Sequence, residues 1–124
     1  MILYVSATSG SNLKLAKQLQ EIGEEINGKH EVVDLAALNL PLFSSLNEKE
    51  TPNETVQELS KQFKSAKAFV FCAPEYNGST PPVLSNALAW LSKCDDDWRD
   101  AFNGKFAAIA THSGGPGFKI MQTM

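Results

Sequence analysis

Residues 68–92 read AFVFCAPEYNGSTPPVLSNALAWLS, and the order of three parts in this stretch sets the fold. Ala68–Ala73 is an unbroken apolar run, too short for a helix, and suits a central strand of a parallel sheet with both faces covered. Pro74–Pro82 ends it with prolines, Asn77-Gly78 and hydroxyl residues, a turn composition. Val83, Leu84, Ala87, Leu88 and Leu91 then recur at helical spacing and predict a helix with one apolar face.

The same order recurs along the chain. Met1–Val5 reads as a second buried strand, followed by the loop Ser6–Asn12 and a helix with Leu13, Ala16, Leu19, Ile22 and Ile26 on its inner stripe. His30–Asp34 is shorter and more polar, which fits a sheet edge. Ala36–Pro52, with two prolines, is irregular. A further helix starts near Thr55 with Val56, Leu59 and Phe63 facing inward. Lys105–Ala110 is a fourth strand, and Gly114–Gly117 leads into another helix. Repeated strand–helix–strand units require right-handed crossovers and give an α/β, doubly wound parallel sheet. Such sheets bind ligands beyond the carboxyl ends of their strands, where strand order reverses. The loops after Val5, Ala73 and Ala110 all leave from that end.

Bulk properties narrow the function. A chain of 124 residues with 43 % hydrophobic and 20 % charged residues suits one folded domain, residues 1–124. A net charge of −3 and a pI near 5.3 argue against a nucleic-acid surface, which needs a basic face. Met1–Val5 is far too short to be a membrane span or signal segment, so no membrane partner and a cytoplasmic location are expected. Two cysteines do not make a disulfide framework, and Cys72 reads as a packed small hydrophobe. The histidines and cysteines share no ligand spacing, which leaves no metal site.

Each loop has a functional reading and a plainer one. Ser6-Ala7-Thr8-Ser9-Gly10-Ser11-Asn12 runs straight into a helix, where backbone N–H groups and the helix dipole favour a phosphate. Alternatively, Ser11 or Asn12 merely caps that helix. The loop is neither a P-loop nor a dinucleotide turn, so a mononucleotide phosphate fits best. The amides of Pro74-Glu75-Tyr76-Asn77-Gly78-Ser79 suit the polar rim of a flat heterocycle, with Tyr76 as a stacking surface; an ordinary surface turn fits equally. Thr111-His112-Ser113-Gly114-Gly115 lets a ligand approach the backbone. His112 is a weak candidate for acid/base work and more readily a structural residue. No nucleophile elbow is present, so chemistry carried by a cofactor is favoured over hydrolysis.

Pro74-Glu75-Tyr76-Asn77-Gly78-Ser79, with Pro81 and Leu84-Ser85-Asn86-Ala87-Leu88-Ala89-Trp90-Leu91-Ser92, resembles the signature of the NADPH-dependent FMN reductase family. Asn12-Leu13-Lys14-Leu15-Ala16 and Ser113-Gly114-Gly115 resemble two further family segments. The resemblance implies a flavodoxin-like fold, FMN as cofactor and NAD(P)H as co-substrate. It also implies a small-molecule electron acceptor (a quinone, free flavin, azo compound or metal oxyanion) and a homodimer or homotetramer. By the same resemblance Ser6, Thr8, Ser11 and Asn12 match the loop holding the flavin phosphate. Pro74, Glu75, Tyr76, Asn77 and Gly78 match residues beside the ring, and Ser113, Gly114 and Gly115 those closing its other side; no catalytic acid or base is implied. Many relatives carry an arginine in the phosphate loop, and Ser6–Asn12 has none, so Lys14 or backbone amides must offset the phosphate charge. The family pattern continues past Met124 through another strand and helix, so the chain reads as truncated after its fourth strand, with a bare apolar edge that favours self-association. A flavodoxin-type electron carrier, or a fragment of this fold without activity, is the alternative.

Overall fold

The computed structural model describes residues 1–124. Strand β1 (Ile2–Ser6) leads through a short loop to helix α1 (Ser11–Ile26) and edge strand β2 (His30–Asp34). After the irregular segment come α2 (Glu54–Ser65), β3 (Ala68–Cys72) and α3 (Pro82–Leu91). A single 3₁₀ turn at Trp98–Ala101 precedes β4 (Phe106–Ala110) and the short α4 (Phe118–Thr123). All pairings are parallel and the strand order is β2-β1-β3-β4. The flavodoxin-like, doubly wound arrangement expected from residues 68–92 is therefore present, with each strand within a residue of its predicted place.

Register is what positions the loops. Ser6 pairs with both Asp34 and Cys72, and Cys72 pairs with Ala110, so all four strands end in one row. Since β1 leads to a neighbour on one side and β3 continues the sheet on the other, order reverses between them. The loops after β1 and β3 start at that switch point.

Alternation along the strands divides the core. Leu3, Val5, Val33 and Phe69 pack with Leu59 and Phe63 of α2 and Leu84 and Leu91 of α3. Phe63 stacks on Phe69 with ring centroids 4.9 Å apart. Lys105 closes this layer. Its Nζ donates to the carbonyls of Phe63 and Lys64 at 2.6 and 2.7 Å, satisfying the C-terminal end of α2 that no backbone partner reaches. Partial desolvation there lowers the lysine's pKa. At the other end of α2 the Asn53 side chain accepts from the Val56 N–H. The irregular segment is tied down by α3: the Asn86 amide accepts from Phe43 N and donates to Pro41 O, and Trp90 Nε1 donates to the same carbonyl.

On the opposite face Tyr4, Cys72 and Ala16 form a smaller cluster under α1. Here the expected inner stripe is corrected. Ile22 and Ile26 are 56 % and 80 % exposed, while Asn12, Ala16 and Gly23 are buried. The helix lies so close to β1 and β2 that small residues occupy its contact line. A Cβ on Gly23 would stand 2.5 Å from the Tyr4 hydroxyl and 2.6 Å from the His30 ring. The Tyr4 hydroxyl is hydrogen-bonded to His30 Nδ1 at 3.1 Å, and His30 Nε2 bonds the Asn27 carbonyl at 2.9 Å. Burial raises the pKa of Tyr4. Cover on both faces also fails at the far side of the sheet: Phe106, Ala107 and Ala108 of β4 are exposed, Phe106 at 82 %.

Gly23→Ala tests this contact. In an open helix the change would stabilise by up to about 1 kcal/mol. Here the methyl group must displace the Tyr4–His30 pair, and overpacking of this kind costs roughly 1–3 kcal/mol. Urea unfolding should therefore show a net loss of stability, and a gain would mean the helix rides higher than described.

Candidate functional site

The loop after β1 folds on itself before α1 begins. Ser6 Oγ donates to the Thr8 carbonyl at 2.7 Å, and Ser6 is fully buried. Gly10 occupies the cap position of α1 without any side-chain cap bond. The capping role considered for Ser11 and Asn12 is thus not realised. In consequence the backbone N–H groups of Ser9, Gly10, Ser11 and Asn12 have no partner within the chain. Unpaired amides at the N-terminus of a sixteen-residue helix, with no acidic residue in its first turn, are the physical requirement for holding an anion.

Asn12 has a different task for its side chain. Nδ2 donates to the His112 carbonyl and Oδ1 accepts from the His112 N–H, both at 2.9 Å. This reciprocal pair joins the first loop to the third, a hundred residues later, with Asn12 only 2 % exposed. The carboxamide is fully used, which leaves the Asn12 backbone N–H for the cleft. His112 is held by its main chain while its exposed ring makes no hydrogen bond.

The second loop is a tight hairpin. Tyr76 and Ser79 exchange backbone hydrogen bonds at 2.9 Å each, with Asn77 and Gly78 at φ +50° and +75°. These positive values define the primed turn favoured by Asn-Gly. The N–H groups of Asn77 and Gly78 have no partner. The hairpin is fastened to the third loop: Glu75 N donates to Ser113 Oγ at 3.0 Å, and Ser113 Oγ lies 2.9 Å from Thr111 Oγ1. The Glu75 carboxylate accepts from Ile120 N in α4 at 3.4 Å.

Together the loops enclose an open cleft of about 430 Å³ lined by Thr8, Ser9, Gly10, Ser11, Asn12, Pro74, Tyr76 and His112. Of the residues expected at the site, Thr8, Ser11, Asn12, Pro74 and Tyr76 line this cleft. Glu75, Asn77 and Gly78 form the adjoining hairpin. Ser113 braces that hairpin from the third loop, whereas Gly114 and Gly115 are exposed beyond the cleft lining. Ser6 lies beneath, holding the loop. Ser9, Gly10 and His112 join the lining, and their signal in the sequence was membership of the same loops. A larger cleft of about 560 Å³ lies between the end of β2 and α2, but Asp34, Glu54 and Glu58 line it and would repel a phosphate. Asp34 also reaches toward the first loop, accepting from Ser9 Oγ at 2.6 Å.

A parallel sheet with a loop of free amides at its switch point and a hairpin of free amides beside it defines an α/β protein of flavodoxin type. The chain belongs to the NADPH-dependent FMN reductase family, whose model matches residues 1–123. A probable NADPH:quinone oxidoreductase 2 of Oryza sativa subsp. japonica is 36 % identical over 93 % of this chain and 58 % of its own length. A quinone reductase of Escherichia coli is 34 % identical over 73 % of the chain and 45 % of its own length. The chain thus spans about half the length of the curated relatives it matches. Among solved structures, the flavoenzyme NAD(P)H:(acceptor) oxidoreductase FerB of Paracoccus denitrificans superposes with a TM-score of 0.71 at 28 % identity. That match covers 93 % of this chain and 62 % of FerB. No helix is long and apolar enough to cross a membrane.

Two measurements check this geometry. Asn12→Ala strands the His112 N–H and carbonyl, which should destabilise the fold by about 1–3 kcal/mol. Amide exchange at His112 should quicken more than in the core strands; unchanged exchange there would remove the latch. Burial pushes the Cys72 thiol up to about 11, while Cys94 is partly exposed. A thiol reagent at neutral pH should therefore label Cys94 and spare Cys72. Because the unfolded chain ionises Cys72 first, its contribution to stability is intact below about pH 9 and declines as pH rises toward 11. The Cys72→Ala variant should lose stability less steeply across that range than the native chain.

Proposed function

We propose that this chain binds FMN in the cleft of the three loops and works as an NAD(P)H-dependent reductase of a small acceptor such as a quinone. The observation that carries the reading is the cluster of unpaired amides at Ser9–Asn12, which opens on the same cleft as the Tyr76 hairpin. The group fits these residues. Four N–H donors and the start of α1 suit a phosphate, and the Asn77 and Gly78 amides suit the carbonyl-bearing rim of the ring. A cleft of this size falls in the range of small-ligand sites.

In this reading the first loop holds the phosphate by backbone donors, with Lys14 in the first turn of α1 offsetting charge. Pro74 and Tyr76 form the wall along the ring, and Glu75, Asn77 and Gly78 border it. Ser113 keeps the hairpin at its distance from the third loop, and Gly114 and Gly115 close the outer side. FMN, when bound, supplies the two-electron hydride chemistry, so the protein needs to position and polarise rather than to provide an acid or base. Residues 1–124 act as one unit, and the homodimer or homotetramer that the family resemblance implies belongs to the same reading.

Titration of the purified chain with FMN, followed in the visible spectrum, should give saturable binding, and the loaded protein should oxidise NADPH in the presence of a quinone. Binding without NADPH oxidation would turn the reading toward an electron carrier. A protein that takes up no FMN would retire both. A monodisperse monomer in sedimentation would remove the self-association.

A further inference from the structure

One cation beside the hairpin that adjoins the cleft plays no part in the reading so far. Lys119, in α4, lies across the second loop: a Cβ built on Gly78 would meet Lys119 Cδ at 3.1 Å and Nζ at 3.7 Å. Residue 78 has φ +75°, a conformation that favours glycine. Glycine therefore allows the hairpin and leaves room for the lysine beside the unpaired amides of Asn77 and Gly78. The Lys119 ammonium has no carboxylate within ion-pair distance. The chain's ion pairs are Lys29–Glu31, Lys61–Glu58 and Lys64–Asp95, all elsewhere. The acid of this loop, Glu75, directs a carboxylate oxygen to Ile120 N. No Lys or Arg lies in the loops Ser6–Asn12, Pro74–Pro81 or Thr111–Gly117 themselves.

We propose that Lys119 tunes the redox balance of a flavin bound in this cleft, favouring its reduced anionic form over the oxidised neutral one. The inference rests on the flavin reading above. Transfer of a hydride from a reduced nicotinamide carries two electrons and one proton, so a neutral ring gains one net negative charge. In that reading the free amides of Asn77 and Gly78 would hold the ring's carbonyl-bearing rim. An unpaired ammonium at that rim attracts the added charge and has no comparable effect on the neutral ring.

The test uses FMN-loaded native chain, Lys119→Gln and Lys119→Arg. Two quantities are read besides activity. One is the two-electron midpoint potential against a reference dye. The other is the affinity for sulfite, an anion whose addition to the oxidised ring leaves it with a net negative charge. Lys119→Gln should weaken sulfite binding about tenfold and lower the potential by about 30 mV, the two-electron equivalent of a tenfold change. Lys119→Arg should retain both values. Added salt should weaken sulfite binding more in the native protein than in Lys119→Gln, because it screens the ammonium. An unchanged potential and sulfite affinity in Lys119→Gln, with FMN bound, would overturn the role of Lys119 and leave the flavin reading standing. Failure of the native chain to bind FMN would overturn both.

Discussion

The structure depends on the reciprocal pair between the Asn12 carboxamide and the His112 main chain. Parallel register brings the ends of β1, β3 and β4 into one row, but that alone fixes only where the loops begin. The Asn12 pair fixes how the first and third loops stand to each other. Ser113, bonded to Glu75 N, does the same between the third loop and the second. Each such bond contributes about 0.5–1.5 kcal/mol net, modest in energy but specific in geometry. The cleft exists because three loops that could move separately are tied into one frame.

That frame leaves polar groups open where the rest of the chain closes them. Lys105 satisfies the end of α2, Asn53 caps its start, and Asn86 with Trp90 anchors the irregular segment. By contrast, the start of α1 has four free amides and no side-chain cap. A helix start left without a side-chain cap keeps the N–H donors that an anion requires. The cap position itself is Gly10, which has no side chain to offer, and the Asn12 carboxamide is taken up by the bond with His112. The binding reading thus follows from a local arrangement as well as from the family match.

Much of this was legible in the sequence. Apolar runs bounded by Gly, Ser, Pro and Asn marked the strands and their order, because a strand covered on both faces needs a continuous apolar segment and a helix needs a stripe. The three loops at one rim followed from parallel topology, and Asn77-Gly78 announced its turn because few other pairs accept two positive φ values. The first helix was misread at Ile22 and Ile26, since periodicity counts apolar side chains and cannot see how closely a helix approaches. That distance is set by Tyr4 and His30, whose hydroxyl and ring occupy the space a side chain at Gly23 would need.

The sequence by itself determined the class of fold, the strand order's parallel sense and the loops that carry the cleft, because these rest on composition and spacing within short segments. Tertiary structure alone decided the partners. The pairing of Asn12 with His112, the unpaired state of the Ser9–Asn12 amides and the placing of Lys119 over Gly78 join residues far apart in the chain or depend on what does not reach them. Such relations exist only once the register of the sheet has brought those ends together.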